Sequence, residues 1–114
     1  MTLNEKQVLF TATLGQFLVW CTRKGHQVIL AEVFRTPEQA RIYHEQGKGI
    51  LNSVHTKKLA ADMFLYKGGT VSWNREDYAP LGAQWKSMHE LARWGGDFAN
   101  RDAVHFSFEH GGVK

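Results

Sequence analysis

Apolar residues in the first part of the chain recur at helical spacing. Val8, Ala12, Gly15 and Val19 form one row, and Phe10, Leu14, Phe17 and Cys21 form a second. Together they predict a helix over residues 4–24 with a broad buried face. Asn4 and Gln7 have capping-box spacing at its start, and Lys24-Gly25 places a cation and then a glycine at its end. The pattern then changes period. Residues 27–34, rich in Val, Ile, Leu and Phe, predict a strand. Thr36 as cap, Pro37 at the first helical position and Gln39 at the third predict a second helix, with Ala40 and Tyr43 facing inward and Gly47 and Gly49 closing it. Residues 50–58 read as loop.

Residues 59–66 predict a second strand. Leu59, Ala61, Met63 and Leu65 fall on one face, and Ala60, Asp62, Phe64 and Tyr66 on the other. Lys67-Gly68-Gly69 reads as a turn. Asn74 caps a third predicted helix with Glu76 and Asp77 in its first turn; it restarts after Pro80 and carries Leu81, Trp85, Met88, Leu91, Ala92 and Trp94 inward until Gly95-Gly96. A loop over 97–102 leads to a last strand over 103–108, with His105 opposite Phe106 and Phe108. Helices and short strands mix without regular alternation. That favours a small single α+β domain over 1–114, a short, mostly antiparallel sheet packed with helices, rather than a doubly wound sheet.

The chain has 114 residues, 43% of them hydrophobic, with four Trp and seven Phe; this is enough apolar matter for a core and excludes a disordered chain. Trp73, Trp85 and Trp94 are read as core or groove wall. A single cysteine excludes an internal disulfide, and Cys21 is read as a buried thiol on a helix face. No run of 18 apolar residues is present, so no membrane insertion is expected, and MTLNEKQVLF lacks the features of a signal peptide. A net charge of +3 favours anionic partners, among them a bacterial cell wall. Lys57-Lys58 and Arg23-Lys24 are pairs rather than a stripe, so nucleic acid is not expected. Nothing signals an oligomer, and a monomer is expected.

One feature of the second strand points to chemistry. Asp62 lies among Leu, Ala, Met and Phe, where a carboxylate needs a partner. A metal shared with His55 is one partner; an arginine, or solvent at an edge strand, is another. Asp102 and His105 near the C-terminus can reach one site together if Asp102 lies in the preceding loop. Two histidines and one carboxylate would leave a fourth zinc position open, and Asp102 could serve as base. A structural His–Asp hydrogen bond is the competing reading, and spacing alone leaves it open.

The segment Ser53-Val54-His55-Thr56-Lys57-Lys58-Leu59-Ala60-Ala61-Asp62, with Trp94-Gly95-Gly96-Asp97-Phe98 and Asp102-Ala103-Val104-His105-Phe106, resembles the zinc D-Ala-D-Ala carboxypeptidase and dipeptidase superfamily, peptidase family M15. Within it the similarity is closest to the L-alanyl-D-glutamate peptidases of phage endolysins. Phe34-Arg35-Thr36-Pro37-Glu38-Gln39 and Tyr43 extend it, so that it spans residues 30–109. The resemblance implies a hedgehog/DD-peptidase-like fold with Zn2+ held by His55, Asp62 and His105. It implies Asp102 as the catalytic carboxylate and Arg35 as the substrate-contacting arginine that polarises the scissile carbonyl. Ser53 is implied as a ligand contact or loop-ordering residue, and Asp97 as a residue that orients a ligand histidine or caps a turn. The implied activity is hydrolysis of the L-Ala–D-Glu amide of peptidoglycan stem peptides, by an endolysin made in the bacterial host cytoplasm and released to the wall by a holin-type route. The alternatives are a D-Ala-D-Ala carboxypeptidase or dipeptidase, and a non-catalytic wall-binding domain that keeps the fold. Lys58 stands where the family usually has glycine, so backbone strain is expected there if that position needs a positive φ.

Overall fold

Thr2, rather than Asn4, starts the first helix. The computed structural model describes residues 1–114, and in it α1 (Leu3–Arg23) opens on a reciprocal capping box between Thr2 and Glu5. The Asn4 amide instead donates to the Gln7 side chain. The C-terminal expectation holds: Lys24 is the cap and Gly25 follows at φ 78°. Only one of the two apolar rows is buried. Phe10, Thr13, Phe17 and Cys21 face the core, whereas Val8 (71% exposed) and Val19 (50%) face solvent with Ala12 and Gly15. Thr13 is tolerated in the buried row because its hydroxyl donates to the Leu9 carbonyl.

The remaining elements are β1 (Gln27–Leu30), α2 (Pro37–Glu45), β2 (Ala60–Lys67), β3 (Thr70–Ser72), α3 (Arg75–Met88), β4 (Ala92–Trp94) and β5 (His105–Phe108), with 3-10 turns at Val54–Lys57 and Gly95–Asp97. All strand pairs are antiparallel. The order is β1-β2-β5-β4, and β3 also pairs with β2. The predicted α+β class, a small domain with helices packed on an antiparallel sheet, is the observed one. No helix is long and apolar enough to cross a membrane.

Three expected boundaries move. β1 ends at Leu30 rather than at Phe34. Beyond it the chain still makes two ladder bonds to Asp62, but the Val33 carbonyl is taken by the His55 ring and the Arg35 amide donates to the His55 carbonyl. β3 was hidden in what read as the approach to a helix. Gly68 (φ 62°) and Gly69 (φ 82°) supply the paired positive angles of a two-residue hairpin, which folds Thr70–Ser72 back on Leu65–Lys67. α3 runs unbroken through Pro80 and stops at Met88, where His89 is extended. Ala92–Trp94 is therefore a strand against β5 rather than a helical continuation. Its alternation of buried and half-buried residues over three positions is too short to be separated from helical periodicity in the sequence.

The core lies between one sheet face and the pair α1/α3. Met63, Leu65, Phe106 and Phe108 meet Phe10, Phe17, Leu81 and Trp85 there. The Phe10, Phe17 and Phe106 rings pack edge-on around Trp85 at 5.4–6.3 Å. Tyr78, fully buried, spans core and hairpin: its hydroxyl donates to the Ser72 carbonyl and accepts from the Leu65 amide. We expect Tyr78→Phe to lower unfolding free energy by about 1–3 kcal/mol, because it strands two buried backbone groups. Urea denaturation with wild-type-like m-value checks this, and an unchanged midpoint would show that water replaces the hydroxyl.

Candidate metal centre

Asp62 and His105 are directly opposed partners in the β2/β5 ladder, and this register brings the C-terminal strand to the middle of the chain. His55 enters from the 3-10 turn Val54–Lys57, capped by Ser53, whose hydroxyl accepts from the His55 amide. The three side chains converge. His55 Nε2 lies 3.2 Å from Asp62 Oδ1, His105 Nδ1 lies 3.5 Å from the same oxygen, and one ligand atom from each residue falls within 4.8 Å of the others. Donor atoms about 2.1 Å from a tetrahedral ion sit roughly 3.4 Å apart, so both contacts to Asp62 match the edge of such a site.

The ring of His55 is oriented from behind: its Nδ1 pairs with the Val33 carbonyl at 3.1 Å, which leaves Nε2 for the cluster. Asp62 Oδ1 and His105 Nε2 are buried without any well-formed hydrogen bond. Orphaned polar atoms of this kind are costly in a protein interior. A cation held by Asp62 Oδ1 together with His55 Nε2 and His105 Nδ1 removes the cost at the carboxylate oxygen, and two imidazoles with one carboxylate are a donor set suited to zinc. Burial pushes the Asp62 carboxyl up, but His105 and His55 beside it outweigh burial and hold it at about 2. Burial would lower His55, and the Asp62 carboxylate and Val33 carbonyl reverse that, so its pKa is raised. Asp62 is therefore ionised, as a metal ligand must be.

Asp102 and Arg35 flank this cluster on a shallow pocket of about 230 Å³, lined also by Ser53, Lys48, Phe98, Asn100 and Lys114. Burial raises the Asp102 pKa, although His105 nearby opposes the rise. The Arg35 guanidinium lies over the Tyr43 ring at 4.9 Å, and its Nε and Nη2 both donate to Glu32 Oε1 at 2.9 and 2.6 Å. This fork-like hold leaves Nη1 free beside the pocket. Glu32 was not singled out in the sequence. It also stands 3.6 Å from His55 Nδ1, and its position three residues before Arg35 was the available signal. Asp97 lies apart from the cluster. Its carboxylate pairs with Lys86 at 2.7 Å and approaches Arg75 at 3.7 Å on the protein surface.

The Trp94-Gly95-Gly96 segment has a local steric reason. A Cβ on Gly95 would collide with the Asp102 carbonyl and lie 2.8 Å from His105 Cβ, so glycine lets the end of β4 close on β5, which carries His105, and on the loop before it, which carries Asp102. Gly96 and Gly82 likewise leave room for the Trp94 ring, whose Nε1 donates to the Ala103 carbonyl. Lys58 ends the His55 turn at φ 58°, ψ 40°, the left-handed conformation in which a side chain is strained. Its ammonium sits 5.2 Å from the Phe34 ring, a partial compensation.

No protein-family model matches this chain, and no curated protein matches it. Among solved structures it is similar to the crystal structure of the L-Ala D-Glu endopeptidase ChiX of Serratia marcescens, with a TM-score of 0.65 and 23% identity over 74% of this chain and 68% of that one. The two proteins share a fold.

Two outcomes are expected. His105→Ala will lose stoichiometric zinc by plasma mass spectrometry and will lose the rise in melting temperature that zinc gives the wild type; full zinc content in the variant would remove His105 from the site. Lys58→Gly will raise unfolding free energy by about 0.5–1 kcal/mol through relief of the left-handed strain, less the entropy of an added glycine. A lowered denaturation midpoint would show that the lysine's contact with Phe34 dominates.

Proposed function

We propose that this protein is a zinc metallopeptidase that hydrolyses the L-Ala–D-Glu amide of peptidoglycan stem peptides and acts in endolysin-like lysis of the cell wall. The observation that carries the reading is the convergence of His55, Asp62 and His105 beside a half-buried carboxylate, Asp102, and a fixed guanidinium, Arg35, on one open pocket. A purely structural zinc site closes all four positions with protein ligands. Three donors facing a pocket leave one position for water or substrate. The fold shared with an L-Ala D-Glu endopeptidase supports the choice of bond.

Zinc bound by His55, Asp62 and His105 would supply a Lewis acid for the scissile carbonyl and lower the pKa of water toward about 7. The protein's own groups do the rest. Asp102 accepts a proton from the attacking water and returns it to the leaving amine. Arg35, with Nε and Nη2 committed to Glu32, offers Nη1 to the oxygen on which charge develops, and its immobilisation means little reorganisation during the reaction. On this reading the enzyme works at the wall after release from the cytoplasm in which it is made, and acts as a monomer.

Asp102→Ala is expected to reduce turnover by about 10²–10⁴-fold with zinc content unchanged. Turnover near that of wild type in a folded, zinc-loaded variant would exclude Asp102 as the base. The decisive experiment is mass spectrometry of purified peptidoglycan after digestion by the zinc-loaded protein. Stem peptides that begin with D-Glu, with L-Ala left on the muramyl group, are the expected products. Release of D-Ala alone would make the protein a carboxypeptidase, and intact wall would make it a binding domain.

A further inference from the structure

The strand face that carries Asp62 does not end at the metal centre. Asp62, Phe64 and Tyr66 alternate on the same face of β2, and the antiparallel registers place Ile29 beside Phe64, Gln27 beside Tyr66 and Val71 beside Tyr66 on the other edge. Trp73 follows Val71 by two residues and meets Phe64 edge to face at 5.3 Å. Helices α1 and α3 cover the opposite face, through Met63 and Leu65. Trp73 is 73% exposed, Ile29 46% and Tyr66 40%. This is an uncharged platform of aromatic and aliphatic side chains that is continuous with the ligand face of the sheet.

We infer that this platform binds the pyranose rings of the glycan strand to which the stem peptide is attached. The inference rests on the peptidoglycan reading of the metal centre. Three features favour a neutral sugar as the occupant. First, polar groups without protein partners lie between the rings: the Gln27 amide, the Tyr66 hydroxyl and the Trp73 indole N–H make no side-chain hydrogen bond to the protein. Apolar ring faces interleaved with free donors and acceptors match the alternation of C–H faces and hydroxyl edges on a pyranose. Second, the six side chains Gln27, Ile29, Phe64, Tyr66, Val71 and Trp73 are uncharged, and the one lysine beside Gln27 and Tyr66, Lys67, is already paired with Asp77 at 3.0 Å, which disfavours a carboxylate or phosphate as the occupant. Third, the spacing fits. Two residues along β2 and one strand across put Trp73 roughly 8 Å from Asp62. One alanine and the lactyl ether that joins it to the sugar span about two residue lengths, roughly 7 Å. A scissile L-Ala carbonyl at the metal centre thus delivers its muramyl ring to Trp73. Trp73 and Tyr66 are specificity-determining residues in this arrangement, since they touch the glycan and not the reacting amide.

The test uses the zinc-loaded protein and a β-1,4-linked N-acetylglucosamine tetrasaccharide, followed by NMR on the Trp73 indole N–H and the β2 amides, a readout that requires no turnover. The expected result is saturable shifts confined to this face, binding at least tenfold weaker for Trp73→Ala, and recovery to within about threefold for Trp73→Phe, which keeps an aromatic face. In parallel, the ratio of kcat/KM on a glycan-linked stem peptide to that on the glycan-free peptide should fall about tenfold in Trp73→Ala. Sugar binding at this face without any peptide hydrolysis would sustain the platform and overturn only the peptidase. Hydrolysis with an unchanged ratio and no shifts, or shifts produced by neutral phosphatidylcholine vesicles and not by the tetrasaccharide, would overturn the platform while leaving the peptidase intact.

Discussion

The carboxylate of Asp62 is the constraint around which this protein is arranged. It stands on a strand whose neighbours are Ala61 and Met63, and it is held ionised by two imidazoles that reach it from distant parts of the chain. A charge in such a place is tolerable only with partners of fixed position. The fixing is visible at each one. His105 is locked by the β2/β5 register, and His55 by a capped 3-10 turn and by the Val33 carbonyl. Beyond Leu30 the chain leaves the regular β1 ladder, and there the Val33 carbonyl meets the His55 ring while the Arg35 amide donates to the His55 carbonyl.

The rest of the fold serves this placement from behind. The aromatic packing of α1 and α3 on β2 and β5 makes the sheet face opposite the site rigid, and Tyr78 ties the β2–β3 hairpin to that core through two buried hydrogen bonds. Gly95 lets β4 approach Asp102 and His105 without a side chain between them. Glu32 plays the corresponding role for Arg35, taking up two of its nitrogens so that the third faces the pocket. Strain is accepted at Lys58, directly after the histidine turn, where the backbone must reverse before β2 begins. Strain of this kind persists where the surrounding structure over-determines the conformation.

Local pattern alone settled the α+β class, the capped starts of α2 and α3 and the buried alternation of β2, because each rests on short-range chemistry: a cap and its amide, or a two-residue period. The metal ligands came from the family resemblance, since their spacing left a structural His–Asp pair open. Local pattern was silent where the outcome depended on partners far along the chain. Either apolar row of α1 could have been buried, and only its docking on α3 and β5 chose Phe10, Phe17 and Cys21 and left Val8 and Val19 in solvent. Ala92–Trp94 reads equally well as a helix end until β5 offers it hydrogen bonds. His55, Asp62 and His105 could be named from resemblance, but their convergence within 4.8 Å is a property of strand register and of one turn. Glu32 and the open face from Asp62 to Trp73 belong wholly to the tertiary structure. Their significance is relational, set by which side chains stand next to them in space, and no local periodicity encodes that.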